Sequence, residues 1–193
     1  MKTRIRVLLM ALVLAVSISV ISPTALAYAL LPTHWPKDTT YSYQIGSDIS
    51  QDGVYSITLA DNQWNGMYNR KVYLSDSGTR TSSTSASRNY KNEVIKRAAG
   101  LTGWVGQCSY WYSQGITSEA DVTLNTSYAL TNSTPPEATN YHVCSIVTHE
   151  FGHMIGLDDC YTSGAVMYYS LPPGVARYTL ATDDINGYNA IHW

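Results

Sequence analysis

Charged residues are scarce in this chain, and they give it no basic surface. Only 13% of its 193 residues are Asp, Glu, Lys or Arg, and 12 basic residues stand against 14 acidic ones. Three of the basic residues, Lys2, Arg4 and Arg6, lie in an N-terminal segment that we expect to be removed, which leaves a net charge of about −5. Nucleic acid and anionic membranes bind basic surfaces, so we expect neither as a partner.

The apolar run near the N-terminus is too short to cross a membrane. Residues 7–21 would extend about 22 Å as a helix, whereas the hydrocarbon core of a bilayer is ~30 Å thick. Basic residues precede the run, and Ala25-Leu26-Ala27 follows it with small side chains at the two positions that signal peptidase reads. We therefore expect residues 1–27 to be a signal peptide and the mature protein, residues 28–193, to be secreted and extracellular.

Cysteine is also scarce, and it limits the possible disulfides to one. In an oxidising compartment the three cysteines, Cys108, Cys144 and Cys160, would form one disulfide and leave one thiol free. Cys144 and Cys160 are close enough in sequence to pair, and Cys108 is the alternative partner of either.

No internal repeat or low-complexity linker divides residues 28–193, which suit one compact domain and which we expect to be monomeric. Alternating or helical spacing of apolar residues predicts strands at 39–45, 71–74, 109–112 and 120–124, and helices at 50–67 and 141–155. Residues 75–87 and 130–140 are predicted as loops. Residues 92–99 fit either a strand, through Val94 and Ile95, or a helix, through their Lys-Arg-Ala-Ala end.

The second predicted helix carries a pair of histidines with metal-ligand spacing. His149 and His153 are four residues apart, so on a helix their imidazoles lie on the same face and can bind one ion. Glu150 follows the first histidine and projects beside this position, where its carboxylate can hold a water rather than the metal. The pattern predicts a zinc site with Glu150 as its catalytic base.

A third ligand is needed, because catalytic zinc sites use three protein ligands. Gly156 can end the helix in a left-handed conformation and turn the chain back towards the metal, which brings the third residue after it, Asp159, to the site. The alternative is that Asp159 only caps the turn. We expect Asp158 to lie near the site or at the surface without binding the metal.

Three segments carry a resemblance to a known family. Residues 149–159 resemble the extended signature of the metzincin metallopeptidases, although the usual third ligand there is histidine rather than aspartate. Residues 163–168 resemble their Met-turn, with Met167 packed beneath the metal. Residues 178–187 are similar to the start of the last helix of the matrixins, the matrix-metalloproteinase branch. The resemblance is sharp from about residue 120 onwards.

The resemblance implies a fold and an activity. The fold would be α+β, with a mixed, twisted sheet packed on a long active-site helix and a short C-terminal subdomain after Gly156. The protein would be a secreted zinc endopeptidase with one catalytic zinc, in which Glu150 activates a metal-bound water against an extended peptide paired with an edge strand, for which we expect residues 120–124. A catalytically silent, zinc-containing extracellular binding protein and a hydrolase of a non-peptide bond are the alternatives.

Other features of this family are less expected here. Many matrixins bind calcium and a second, structural zinc, but the sequence shows no clear ligand cluster for either. The residues between position 27 and the first strand are too few for a pro-segment with a cysteine switch, so we expect none. Astacins and serralysins place a metal-facing tyrosine at the position of Tyr169. Because the chain has 16 tyrosines, we interpret this match as a coincidence. We expect His142 and His192 not to bind the metal.

Overall fold

The computed structural model describes residues 28–191, so the predicted signal peptide and His192 lie outside the described residues. The described part contains the following elements in chain order: β1 (Ala29–Leu30), β2 (Thr39–Gly46), α1 (Gln51–Asn65), β3 (Val72–Thr81), β4 (Asn92–Arg97), β5 (Gly106–Ser113), β6 (Ile116–Asn125), β7 (Leu130–Thr131), β8 (Tyr141–His142), α2 (Val143–Ile155), β9 (Leu157–Asp158) and α3 (Thr182–Ala190).

Five strands form one mixed sheet in the order β3-β2-β4-β6-β5. The pairs β3–β2, β2–β4 and β4–β6 are parallel. Strand β5 pairs antiparallel with β6 at one edge. Helices α1 and α2 pack together against this sheet: Trp64 Nε1 donates to the carbonyl of Thr148 at 2.9 Å, and the rings of Tyr43 and Phe151 lie 5.3 Å apart. The predicted α+β fold, with a mixed sheet on the helix that carries the histidines, is confirmed.

Most predicted elements are found, with two changes in the sheet. Residues 92–99, which fitted either type, contain the strand β4. The predicted loop at 75–87 is wrong in its first half, because β3 continues to Thr81 and pairs there with Gly46 of β2. This half of β3 lies at the sheet edge, where few of its side chains face the core. Its residues are therefore polar and lack apolar alternation.

The predicted edge strand is also corrected. Residues 120–124 belong to β6, which is hydrogen-bonded on both sides, to β4 through pairs such as Val94 with Val122 and to β5 through pairs such as Cys108 with Val122. The edge strand beside it is β5. Strand order depends on pairing between distant segments, which the alternation within one segment does not encode.

The expected disulfide is absent: Cys108, Cys144 and Cys160 are all unpaired. Cys144 lies in the first turn of α2 and Cys160 beyond its far end, and the helix between them is about 17 Å long from Cys144 to Ile155. A bridge also requires Cα atoms within ~7 Å and Cβ atoms that point towards each other, which proximity in sequence does not ensure.

The described helices are 9 to 15 residues long. None of those within residues 28–191 combines the length and the apolar character needed to span a bilayer.

We predict that the folded protein contains three free thiols and that the two buried ones, Cys144 and Cys160, are unreactive. Burial raises the pKa of both Cys144 and Cys160 to about 11, so at pH 7 each is almost wholly protonated and unreactive. Iodoacetamide should label these two cysteines only after unfolding in urea, as read by peptide mass spectrometry. A gain of two hydrogens in the intact mass upon reduction would instead reveal a disulfide.

Candidate metal centre and cleft

Helix α2 brings the two motif histidines together. His149 and His153 lie one turn apart, and their ring centroids are 4.7 Å from each other. The helix ends at Gly156, whose φ of 118° is in the left-handed region, as the sequence predicted. A Cβ at this position would also approach the carbonyl oxygen of Thr33 to 3.1 Å, so both backbone conformation and space favour glycine.

Backbone carbonyl groups orient both imidazoles. Nδ1 of His149 donates to the carbonyl of Val166 at 2.8 Å, and Nδ1 of His153 donates to the carbonyl of Leu157 at 2.9 Å. A carbonyl oxygen only accepts, so each Nδ1 carries a proton and each Nε2 is directed to the site. Both carbonyls come from the chain beyond the helix, which therefore sets the direction of the rings.

Asp159 lies where the third donor is required. Its Oδ1 is 3.1 Å from His149 Nε2 and 3.6 Å from His153 Nε2, and the three donor atoms lie within 4.8 Å of one another. Four ligands at ~2.0–2.1 Å around a tetrahedral zinc are about 3.4 Å from one another. Two nitrogen donors and one carboxylate at this separation fit a zinc ion, and they leave a fourth position open.

The turn itself is capped by the neighbouring aspartate. Asp158 Oδ1 accepts a hydrogen bond from the backbone N–H of Asp159 at 2.8 Å, so the carboxylate of Asp159 is not needed for this. The hydrogen bond to His149 holds the pKa of Asp159 below its ordinary value. Burial opposes the charged form of His149, but the carboxylates of Asp159 and Glu150 outweigh it and raise the pKa of that imidazole.

Glu150 is buried beside the three donors without joining them. Its side chain is 6% exposed and lines a cleft of about 470 Å³, which His149, His153 and Asp159 also line. Gly106 of β5 faces it: a Cβ there would collide with Ile146 and lie 2.8 Å from Glu150 Oε1. We did not predict a role for Gly106, since nothing in its local sequence indicates which residue lies opposite.

Met167 packs beneath the histidine-bearing turn of α2. It is almost fully buried, and a Cβ on Gly152 would collide with its Sδ and approach Trp64 Cζ2 to 3.1 Å. Gly152 lies between the two motif histidines, so its missing side chain makes room for the sulfur. Met167 therefore lies beneath the two histidines and forms the floor of the site, as the resemblance to a Met-turn implies.

A buried carboxylate holds this turn in place. Asp184, in the first turn of α3, accepts from the backbone N–H groups of Val166 and Met167, both at 2.9 Å, and from that of Ala181 at 2.7 Å. It thereby fixes the residue whose carbonyl orients His149. In the sequence, Asp184 falls within residues 178–187, the segment similar to the matrixins, where we predicted no separate role for it. Its place as an acidic residue in the first turn of a helix was the available signal.

The remaining candidate residues have other partners. His142 bonds through Nδ1 to Ser145 Oγ at 2.8 Å and through Nε2 to Thr134 Oγ1 at 2.9 Å, so neither nitrogen is available to a metal. Tyr169 lines the cleft, and its ring packs against those of Tyr161 and Tyr168.

Comparison with known proteins agrees with this geometry. A family model described as Matrixin matches residues 34–193. Metalloendoproteinase 1 of Glycine max is 29% identical over 87 residues, which cover 45% of this chain. The aligned part spans only 25% of the length of that relative. The family match extends over nearly all described residues and confirms the matrixin resemblance.

We predict that Gly152→Ala destabilises the protein through its contact with Met167. Overpacking a core typically costs about 1–3 kcal/mol in the free energy of unfolding, measured here by urea titration. The double variant Gly152→Ala/Met167→Ala should be less destabilised than the sum of the single variants, because the shortened side chain removes the collision. Additive effects would mean that the two residues do not share this space.

Proposed function

The chain belongs to the matrixin family, and from this premise we propose that it is a secreted, zinc-dependent endopeptidase. The observation that carries the proposal is the convergence of His149 Nε2, His153 Nε2 and Asp159 Oδ1 at the base of a cleft that also contains Glu150. The name of the Glycine max relative, a metalloendoproteinase, points to the same reaction.

His149, His153 and Asp159 would hold the ion. When bound there, zinc supplies Lewis acidity, which polarises the scissile carbonyl and makes a water in the site more acidic. The carboxylate of Asp159 adds a negative charge that a third imidazole would not, so the water is less acidic than in a three-histidine site. Glu150 would therefore contribute more to the proton transfer than it would in a three-histidine site.

Glu150 would act first as a base and then as an acid. It takes a proton from the attacking water while the water oxygen bonds to the carbonyl carbon, and it passes this proton to the nitrogen as the C–N bond breaks. Its low exposure supports this role, because a carboxylate shielded from bulk water keeps a fixed position at the reacting atoms.

An extended peptide is the substrate that fits the cleft. Gly106, Gln107 and Cys108 of β5 line one side of it, and β5 is an edge strand. Among residues 28–191, no strand other than β6 forms a ladder with β5, so its outer edge can pair with a substrate backbone. In this proposal β5 replaces the strand at 120–124 as the one that pairs with the peptide.

We propose that the active protein is extracellular. The leader-like pattern of residues 1–27 supports export, and the acidic balance of the remaining chain supports a protein substrate rather than nucleic acid or a membrane surface. We propose that this mature protein acts as a monomer.

We predict that Glu150→Ala abolishes proteolysis without loss of metal. Cleavage of casein by the mature protein should fall by about 10²–10⁴-fold at equal zinc content, the usual contribution of a general base. Glu137→Gln, which alters an exposed carboxylate outside the cleft, should retain the wild-type rate. Equal rates for Glu150→Ala and wild type would exclude this mechanism, and no cleavage by wild type would favour the silent binding protein.

We also predict that the two adjacent aspartates differ in zinc binding. Asp159→Asn should lower zinc affinity by more than about 100-fold, because even outer partners of metal ligands contribute 10–100-fold. Asp158→Asn is the matched control, since its amide oxygen can still accept from the N–H of Asp159. Zinc affinity is measured by competition with a chelator. Wild-type affinity in Asp159→Asn would return this residue to a capping role only.

A further inference from the structure

One wall of the cleft consists of chain without regular structure. This wall, residues 168–172, follows the turn that contains Met167 and lines the cleft together with α2. Pro172 and the next residue are both prolines, which have no backbone N–H and make no ladder hydrogen bonds. Its position therefore depends on groups that bind it from outside.

Within residues 28–191, backbone hydrogen bonds hold the wall only at its start and just beyond its end. The N–H of Tyr169 donates to the carbonyl of Cys160 at 3.1 Å, and that of Gly174 donates to the carbonyl of Asn140 at 2.9 Å. The guanidinium of Arg177 donates to the carbonyl of Tyr168, next to the first anchor, and to that of Ser170 beyond it, with Nη2–O distances of 3.3 Å and 2.6 Å.

The side chain of Arg177 contacts this wall rather than an acidic residue. Its guanidinium carbon lies 5.3 Å from the centroid of the Tyr168 ring, and its Nε is buried without a hydrogen-bond partner among residues 28–191. No carboxylate of the described chain forms an ion pair with it. If the side chain of Arg177 turned outwards, its Nε–H could hydrogen-bond to water. The buried Nε therefore indicates that the wall holds the guanidinium in a fixed place.

The backbone of Arg177 is tied to the helix that carries the histidines. Its N–H donates to Ser145 Oγ at 2.7 Å, and Ser145 lies one turn before His149 on α2. Ser145 Oγ is bonded in turn to His142 Nδ1, and His142 Nε2 to Thr134 Oγ1. Arg177 therefore connects the wall to α2 through a continuous set of hydrogen bonds.

We propose that Arg177 is a positioning residue that sets the distance between the wall at 168–172 and α2, and thereby determines which substrate side chains the cleft accepts. The inference rests on the proposed peptidase function. Arg177 does not touch the reacting atoms in this account. Its effect appears in the discrimination between substrates, because a wall held at a fixed distance admits side chains by size.

The test compares Arg177→Met and Arg177→Lys with Arg70→Met. Arg70 is a matched control outside the cleft: its guanidinium also lies over a tyrosine ring, 4.6 Å from the centroid of Tyr73, and donates to a backbone carbonyl, that of Asn65. Lysine keeps the charge but not the planar fork, so Arg177→Lys should restore part of what methionine loses.

Selectivity is measured with peptides in which each of the four residues around the cleaved bond is Ala, Leu or Tyr in turn. In Arg177→Met, the ratio of kcat/KM between best and worst peptides at one position should fall about tenfold, mainly through KM. Arg70→Met should keep all ratios. Unchanged ratios in Arg177→Met, or an equal loss for every peptide, would overturn the proposal.

Hydrogen exchange of the wall amides gives a readout that does not depend on catalysis. The N–H of Tyr169, which donates to the carbonyl of Cys160, should exchange about tenfold faster in Arg177→Met than in wild type, and its exchange should be unchanged in Arg70→Met. Equal exchange in wild type and Arg177→Met would overturn the proposal even if selectivity changed. If wild type cleaves no peptide, the proposed function fails, and the exchange rates still decide whether Arg177 holds the wall.

Discussion

Leu157 and Val166 each supply a carbonyl oxygen to the Nδ1 of a motif histidine, and the metal centre depends on these two contacts. The helix alone brings His149 and His153 to one face, but it does not choose which ring nitrogen points to the ion. That choice is made by the chain after Gly156, which turns back beneath the helix and also delivers Asp159. The catalytic helix and the short C-terminal subdomain therefore form one site.

The C-terminal subdomain has little secondary structure, so individual side chains determine its shape. Asp184 binds the N–H groups of the turn at Val166 and Met167, and the Met167 sulfur fills the space left by Gly152. Arg177 binds the next stretch of chain and connects it to Ser145. Different side chains therefore hold the floor of the site and the wall of the cleft, Asp184 the first and Arg177 the second.

The parts predictable from sequence are those that depend on local spacing. The i, i+4 relation of the histidines and the left-handed turn at Gly156 follow from helix geometry, and both are found. The parts that were missed depend on contacts between distant segments. The place of β5 at the sheet edge and the position of Gly106 against Glu150 are set by strand order.

The central claim concerns the atoms that surround the metal, and X-ray absorption at the zinc edge of the mature protein tests it most directly. The account predicts a first shell of nitrogen and oxygen scatterers only, at ~2.0–2.1 Å, with outer-shell signals from two imidazole rings. Cys108 lines the same cleft as a free thiol. A sulfur scatterer at ~2.3 Å, or the signal of a single imidazole, would contradict the ligand set of His149, His153 and Asp159.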